Sequence, residues 1–87
     1  MPNIRLTLKR DYKLYEQQGW TVFLGMHLEG TLTWFRDETY VENGYSHEPG
    51  FHWSLWDEPK SAGPFKTLKE AKKDMERFLT NKVKANA

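Results

Sequence analysis

Three stretches alternate apolar and polar residues with period two, the pattern of half-buried strands. In Ile4–Lys9 the apolar positions are Ile4, Leu6 and Leu8. From Trp20 to Leu28 they are Trp20, Val22, Leu24, Met26 and Leu28, and in Phe51–Trp56 they are Phe51, Trp53 and Leu55, with His52, Ser54 and Trp56 opposite. Glu29-Gly30 is a turn signal before Thr31–Arg36, so residues 20–36 predict a β-hairpin. Further turn signals stand at Glu42-Asn43-Gly44 and Pro49-Gly50. Tyr12, Leu14 and Tyr15 within Arg10–Gly19 fit either a short strand or one helical turn. Asp57–Pro64, with two prolines and a glycine, predicts a loop.

The period then changes. Thr67 precedes Glu70 by three residues, the spacing of a capping box that satisfies two orphan backbone donors. Apolar residues recur at Leu68, Ala71, Met75, Phe78, Leu79 and Val83, one stripe at helical period, while Ala85–Ala87 read as a frayed end. The predicted architecture is α+β: a three- or four-stranded antiparallel sheet with one C-terminal amphipathic helix packed on it. A single domain spans 1–87, with the sheet over about 3–57, a loop over 58–66 and the helix over 67–83. Phe78, read as buried, predicts a loss of about 3–5 kcal/mol on truncation to Ala.

Composition sharpens this picture. The chain of 87 residues can build only a thin core, and with 38% hydrophobic but 15% aromatic residues the rings must supply much of it. There is no cysteine, which excludes disulfides and thiolate metal sites and favours a reducing compartment, the cytoplasm by default. No apolar run reaches the length of a membrane span or of a signal-peptide core.

The net charge of +1 conceals a division along the chain. Residues 1–15 carry Arg5, Lys9, Arg10 and Lys13 against Asp11. Residues 16–58 carry Arg36 against Glu16, Glu29, Asp37, Glu38, Glu42, Glu48, Asp57 and Glu58. Residues 59–87 carry eight basic groups against Glu70, Asp74 and Glu76. The sheet region is therefore acidic and the helix basic.

Candidate chemistry is sparse. His47, His52 and Glu48 are the best set for a metal, but their spacing matches no standard site, and no metal or cofactor is expected. No serine stands on a strand-to-helix elbow, no carboxylate pair is singled out, and the glycines form no phosphate loop, so the sequence predicts a protein that is not an enzyme. Aromatics crowd Tyr40–Trp56, more than one face of a thin sheet needs. Beside acids they suit a protein interface, with Glu42, Tyr45, Glu48, Trp56, Asp57 and Glu58 as its candidate residues. Lys69, Lys73 and Arg77, at i, i+4 and i+8 beside Lys72, form the alternative site, an anion-facing column for nucleic acid. Glu70 with Lys73, Lys72 with Glu76 and Asp74 with Arg77 are the pairs that would offset its repulsion.

The segment Gly63-Pro64-Phe65-Lys66-Thr67-Leu68-Lys69-Glu70-Ala71 resembles the joint between last strand and helix in the sheet-plus-helix DNA-binding domains of plant ethylene-response factors and some phage integrase arms. It is similar, too, to that joint in sporulation-related peptidoglycan-binding repeats. The resemblance covers this joint only. The DNA-binding group reads DNA with an arginine-rich sheet, whereas the sheet region here has Arg36 and an acidic majority that repels phosphate.

The leading expectation is a small regulatory binding protein, of the kind phages and mobile elements encode to inhibit host nucleic-acid machinery, docking on a partner protein with a basic surface. Nucleic-acid binding through the basic helix is the alternative, and an enzyme or peptidoglycan-binding module comes third.

Overall fold

A computed structural model describes residues 4–15, 17–36, 41–42, 45–46 and 48–85, with backbone alone for 41–42, 45–46 and 84–85. The strands are β1 (Thr7–Lys13), β2 (Gln17–Leu24), β3 (His27–Phe35), β4 (Val41–Glu42), β5 (Tyr45–Ser46), β6 (Gly50–Leu55) and β7 (Ser61–Phe65), followed by helix α1 (Leu68–Ala85). Five strands form one antiparallel sheet in the order β1-β2-β3-β6-β7, and β4 and β5 pair separately. The class is α+β, with one or two strands more than the alternation predicts.

The additional strand is β7, which lies where a loop over 58–66 was expected. Proline is tolerated there because β7 is an edge strand, pairing only with β6. Of the ambiguous stretch 10–19, residues up to Lys13 end β1 and residues from Gln17 begin β2, and Leu14 N–H donates to Gln17 O at 2.8 Å. At the other end, Ile4 and Leu6 do not belong to the first strand. Ile4 N–H donates to Thr80 Oγ1 (3.2 Å) and Leu6 N–H to Glu76 Oε2 (2.7 Å), so this segment is held by the helix instead of a ladder.

The long hairpin turns earlier than predicted. Its turn is Gly25-Met26, and Gly25 has φ 63°, a left-handed conformation that glycine adopts without strain. Glu29 and Gly30 lie inside β3, where the register with β2 shifts. Gly30 is required by close approach, since a Cβ there would fall on the backbone of Ser54 and Leu55.

One face of the sheet carries the core. Trp20, Val22, Leu32, Trp53 and Leu55 pack with Leu6 against Ala71, Met75 and Leu79 of α1. Val22, Leu32 and Met75 are completely buried, and each such side chain contributes about 1.5–3 kcal/mol relative to exposure. The capping interaction forms, with Glu70 N–H donating to Thr67 Oγ1 at 3.1 Å. Val83 is exposed, so the docked stripe ends at Leu79. Phe78 is half-buried against the edge of the core.

Among the described residues no helix covers the opposite face. Lys9, Thr21, Thr31, Ser54 and Ser61 stand in register across all five strands, and Thr31 Oγ1 and Ser54 Oγ share a hydrogen bond of 3.1 Å. Thr21 Oγ1 donates to Asp11. The centre of this face is hydroxyl-rich, and the acids of 16–58 that are described stand near strand ends.

Candidate functional site

The hairpin and the β6–β7 connection bring three large apolar side chains to one end of the sheet. Met26 at the hairpin tip is 100% exposed, Trp56 73% and Leu28 36%. The connection is tightly built: Trp56 N–H donates to Glu29 O (2.9 Å), Leu55 N–H to Lys60 O (2.9 Å) and Lys60 N–H to Glu58 O (2.8 Å). Trp56 is thus held beside β3 by its backbone while its ring stays in solvent.

Three carboxylates share this end. Glu29 Oε1 lies 3.3 Å from His27 Nδ1, and Glu58 Oε2 accepts from Lys82 Nζ at 2.9 Å. Asp57 is exposed, and among the described residues no cation lies within ion-pair distance of it. Lys82 titrates above its ordinary 10.5, chiefly because Glu58 hydrogen-bonds its ammonium; burial acts against this, and the charges of Glu58, Asp57 and Glu29 add to it. The end of the sheet is therefore apolar at its tip and acidic at its base.

The structure divides the residues that sequence reasoning grouped. Trp56, Asp57 and Glu58 come together here. Glu48 lies before β6, at the other end of a six-residue strand, roughly 20 Å away at about 3.3 Å per residue. It is exposed, and its carbonyl oxygen is 2.8 Å from His52 Nε2. Glu42 and Tyr45 face each other in the β4–β5 ladder, with side chains outside the described residues. Of the six candidate residues, Trp56, Asp57 and Glu58 share this end of the sheet and Glu48 stands at the opposite end of β6. To the first three the structure adds Met26, Leu28 and Glu29. The alternation reading passed over these because it carried one strand through Gly25-Met26; the glycine just ahead of Met26, the fourth alternating residue, was the signal.

On the helix, Lys69, Lys73 and Arg77 are exposed and Lys72 is half-buried. Asp74 Oδ1 lies 3.5 Å from Arg77, as the spacing predicts. The expected Lys72–Glu76 pair is absent among the described residues, because Glu76 accepts the Leu6 amide instead. His47 lies outside the described residues, and among those described no group of three His, Asp or Glu side chains is placed to hold a metal.

No helix among the described residues is long and apolar enough to cross a membrane. Comparison with family models, curated proteins and solved structures returns no match.

Proposed function

We propose that this chain is a small non-catalytic binding protein that docks on another protein through the sheet end formed by Met26, Leu28 and Trp56. The observation that carries this reading is the exposure of Trp56 and Met26 at the same end of the sheet. Large exposed apolar groups clustered together mark interaction sites, and Trp and Met are enriched in interface cores. Glu29, Asp57 and Glu58 at the base of the patch favour a partner with a basic rim, whose approach they would steer. Size and composition suit a regulatory role such as that of a phage or mobile-element inhibitor of nucleic-acid machinery, and the lack of cysteine suits a cytoplasmic setting.

The test is affinity capture from the native source with the wild-type chain and with Trp56→Ala, followed by direct binding of the purified partner. Loss of the same partner with Trp56→Ala supports the patch. Full retention, with loss on Lys73→Glu, transfers the interface to the helix. That second reading, nucleic-acid binding, is favoured by the exposure of Lys69, Lys73 and Arg77 on one helix. It requires affinity for duplex DNA or RNA that falls with salt at about 0.7–0.9 per phosphate contacted.

A further inference from the structure

A groove of about 290 Å³ runs between β7 and α1; it borders the β6–β7 connection through Lys60, but the exposed Trp56 ring does not line it. Its apolar wall is formed by Trp53 and Phe78, with ring centroids 5.5 Å apart, and by Ala62 of β7. Three charged groups line it. Lys60 Nζ stands 5.3 Å from the Phe78 ring centroid, and Arg77 lies 3.5 Å from Asp74 Oδ1. The other oxygen of Asp74 accepts the Trp53 Nε1–H at 3.0 Å.

The consequence is an imbalance of donors. Both oxygens of Asp74 are engaged, whereas Arg77 has five N–H donors and a single carboxylate contact. Among the described residues no carboxylate lies within ion-pair distance of Lys60. The Asn81 side-chain amide adds further hydrogen-bonding capacity at the rim. The groove therefore offers two cations with spare donors next to an apolar wall.

We infer that this groove binds an extended acidic peptide segment of a partner protein, a carboxylate held by Lys60 and Arg77 and a neighbouring apolar side chain on Ala62 and Phe78. β7 supports this occupant because it is the outermost strand, and an extended chain can add to such an edge by main-chain pairing while its side chains enter the adjoining groove. The charge pattern selects peptide over nucleic acid. Asp74 lines the same groove, so a phosphate backbone, with a charge at every nucleotide, meets more repulsion there than a peptide that brings one carboxylate. The volume, near the lower end of about 300–1,000 Å³ for small-molecule sites, accommodates one or two side chains.

The probe is acetyl-Glu-Leu-Glu-Leu-amide titrated into the full chain, with acetyl-Gln-Leu-Gln-Leu-amide and an oligothymidylate as parallel arms, followed by heteronuclear NMR. The acidic peptide is expected to shift the Trp53 indole N–H, the Asn81 side-chain amide and the β7 amides, while the Trp56 indole stays still. Replacing its glutamates by glutamine, or combining Lys60→Gln with Arg77→Gln, should weaken binding about tenfold or more, a loss of charge-assisted hydrogen bonds. Both substituted positions are exposed, and unshifted backbone amides of β2 and β3, remote from the groove, in the unliganded variant confirm that the fold is kept. Equal binding of the glutamine peptide, tighter binding of the oligothymidylate, or no shifts at millimolar peptide each overturns the inference. Because the Trp56 indole is monitored separately, failure here is distinct from failure of the end-of-sheet reading.

Discussion

Trp53 and Asp74 join β6 to the helix: the indole of the most deeply buried tryptophan donates its N–H to the Asp74 carboxylate at 3.0 Å. An indole has one polar group, and when the ring is buried that group must find a partner. Here the partner comes from the element that covers the ring. The bond also fixes which turn of the helix lies over β6.

Trp53→Phe removes this donor and part of the ring. Hydrogen bonds to charged groups contribute about 1.5–3 kcal/mol, so a loss of at least that order is expected in urea unfolding. Asp74→Asn, which keeps an acceptor, should cost less. Equal losses for the two would show that packing of the ring, not the bond, is what matters.

Met75 and Phe78 separate the depth of the core from its edge. Met75 is fully buried, and Met75→Ala should cost about 2–5 kcal/mol. Phe78 is half-buried, with one side on Trp53 and Lys60 over its ring, so Phe78→Ala should fall below the 3–5 kcal/mol of a fully buried ring. Denaturation midpoints of the two variants, compared at constant slope, check the order.

Gly30 and Gly19 make a paired test of what a new methyl group meets. At Gly30 it would strike the backbone of the neighbouring strand, which cannot step aside; at Gly19 it would strike the ring of Tyr12, which is partly exposed and can. Gly30→Ala should therefore cost on the order of 3 kcal/mol or more, and Gly19→Ala about 1 kcal/mol. Placing Gly19→Ala on a Tyr12→Ala background should recover most of that smaller loss, the coupling a double-mutant cycle reads.

These positions show what was legible in the sequence. The helix was readable because Thr67, Glu70 and the stripe from Leu68 to Leu79 each indicate it by separate physics: capping, spacing and burial. Trp20, Val22, Trp53 and Leu55 followed from alternation alone. The hairpin turn was misplaced because Gly25-Met26 interrupts the alternation without disturbing it, whereas Glu29-Gly30 resembles a turn and is in fact a register shift inside β3. β7 was hidden by its glycine and proline, which an edge strand tolerates and an inner strand does not. The end-of-sheet patch inherited the first error: with Met26 and Leu28 assigned to the core side of one long strand, nothing joined them to Trp56.

Lys82 and Glu58 give the fold a pH-dependent tie between the β6–β7 connection and the helix. The folded-state pKa of Lys82 is raised above 10.5, so the ammonium binds its proton more tightly in the folded chain than in the unfolded one. The stability this contributes is present below 10.5 and is lost as the pH rises through the raised value. Melting temperatures of the wild type and Glu58→Gln should thus differ at neutral pH and converge in strong alkali. A constant difference across that range would mean that the tie does not depend on the lysine's charge.

The patch itself makes the sharpest prediction, because its apolar tip and acidic base should act on different steps of binding. Trp56 and Met26 can be desolvated only once a partner has docked, so Trp56→Ala and Met26→Ser should raise the dissociation rate, by more than about 2 kcal/mol equivalent if Trp56 is the central anchor. Among the described residues Asp57 has no cation within ion-pair distance, and Asp57→Lys should slow association and flatten its dependence on salt while leaving dissociation nearly unchanged. Glu58 is already committed to Lys82, so Glu58→Gln should alter association less than Asp57→Lys does. Glu48, at the far end of β6, should be silent in both rates. Surface-plasmon kinetics on the captured partner distinguishes these outcomes, and an effect at Glu48 equal to that at Trp56 would place the interface at the opposite end of the sheet.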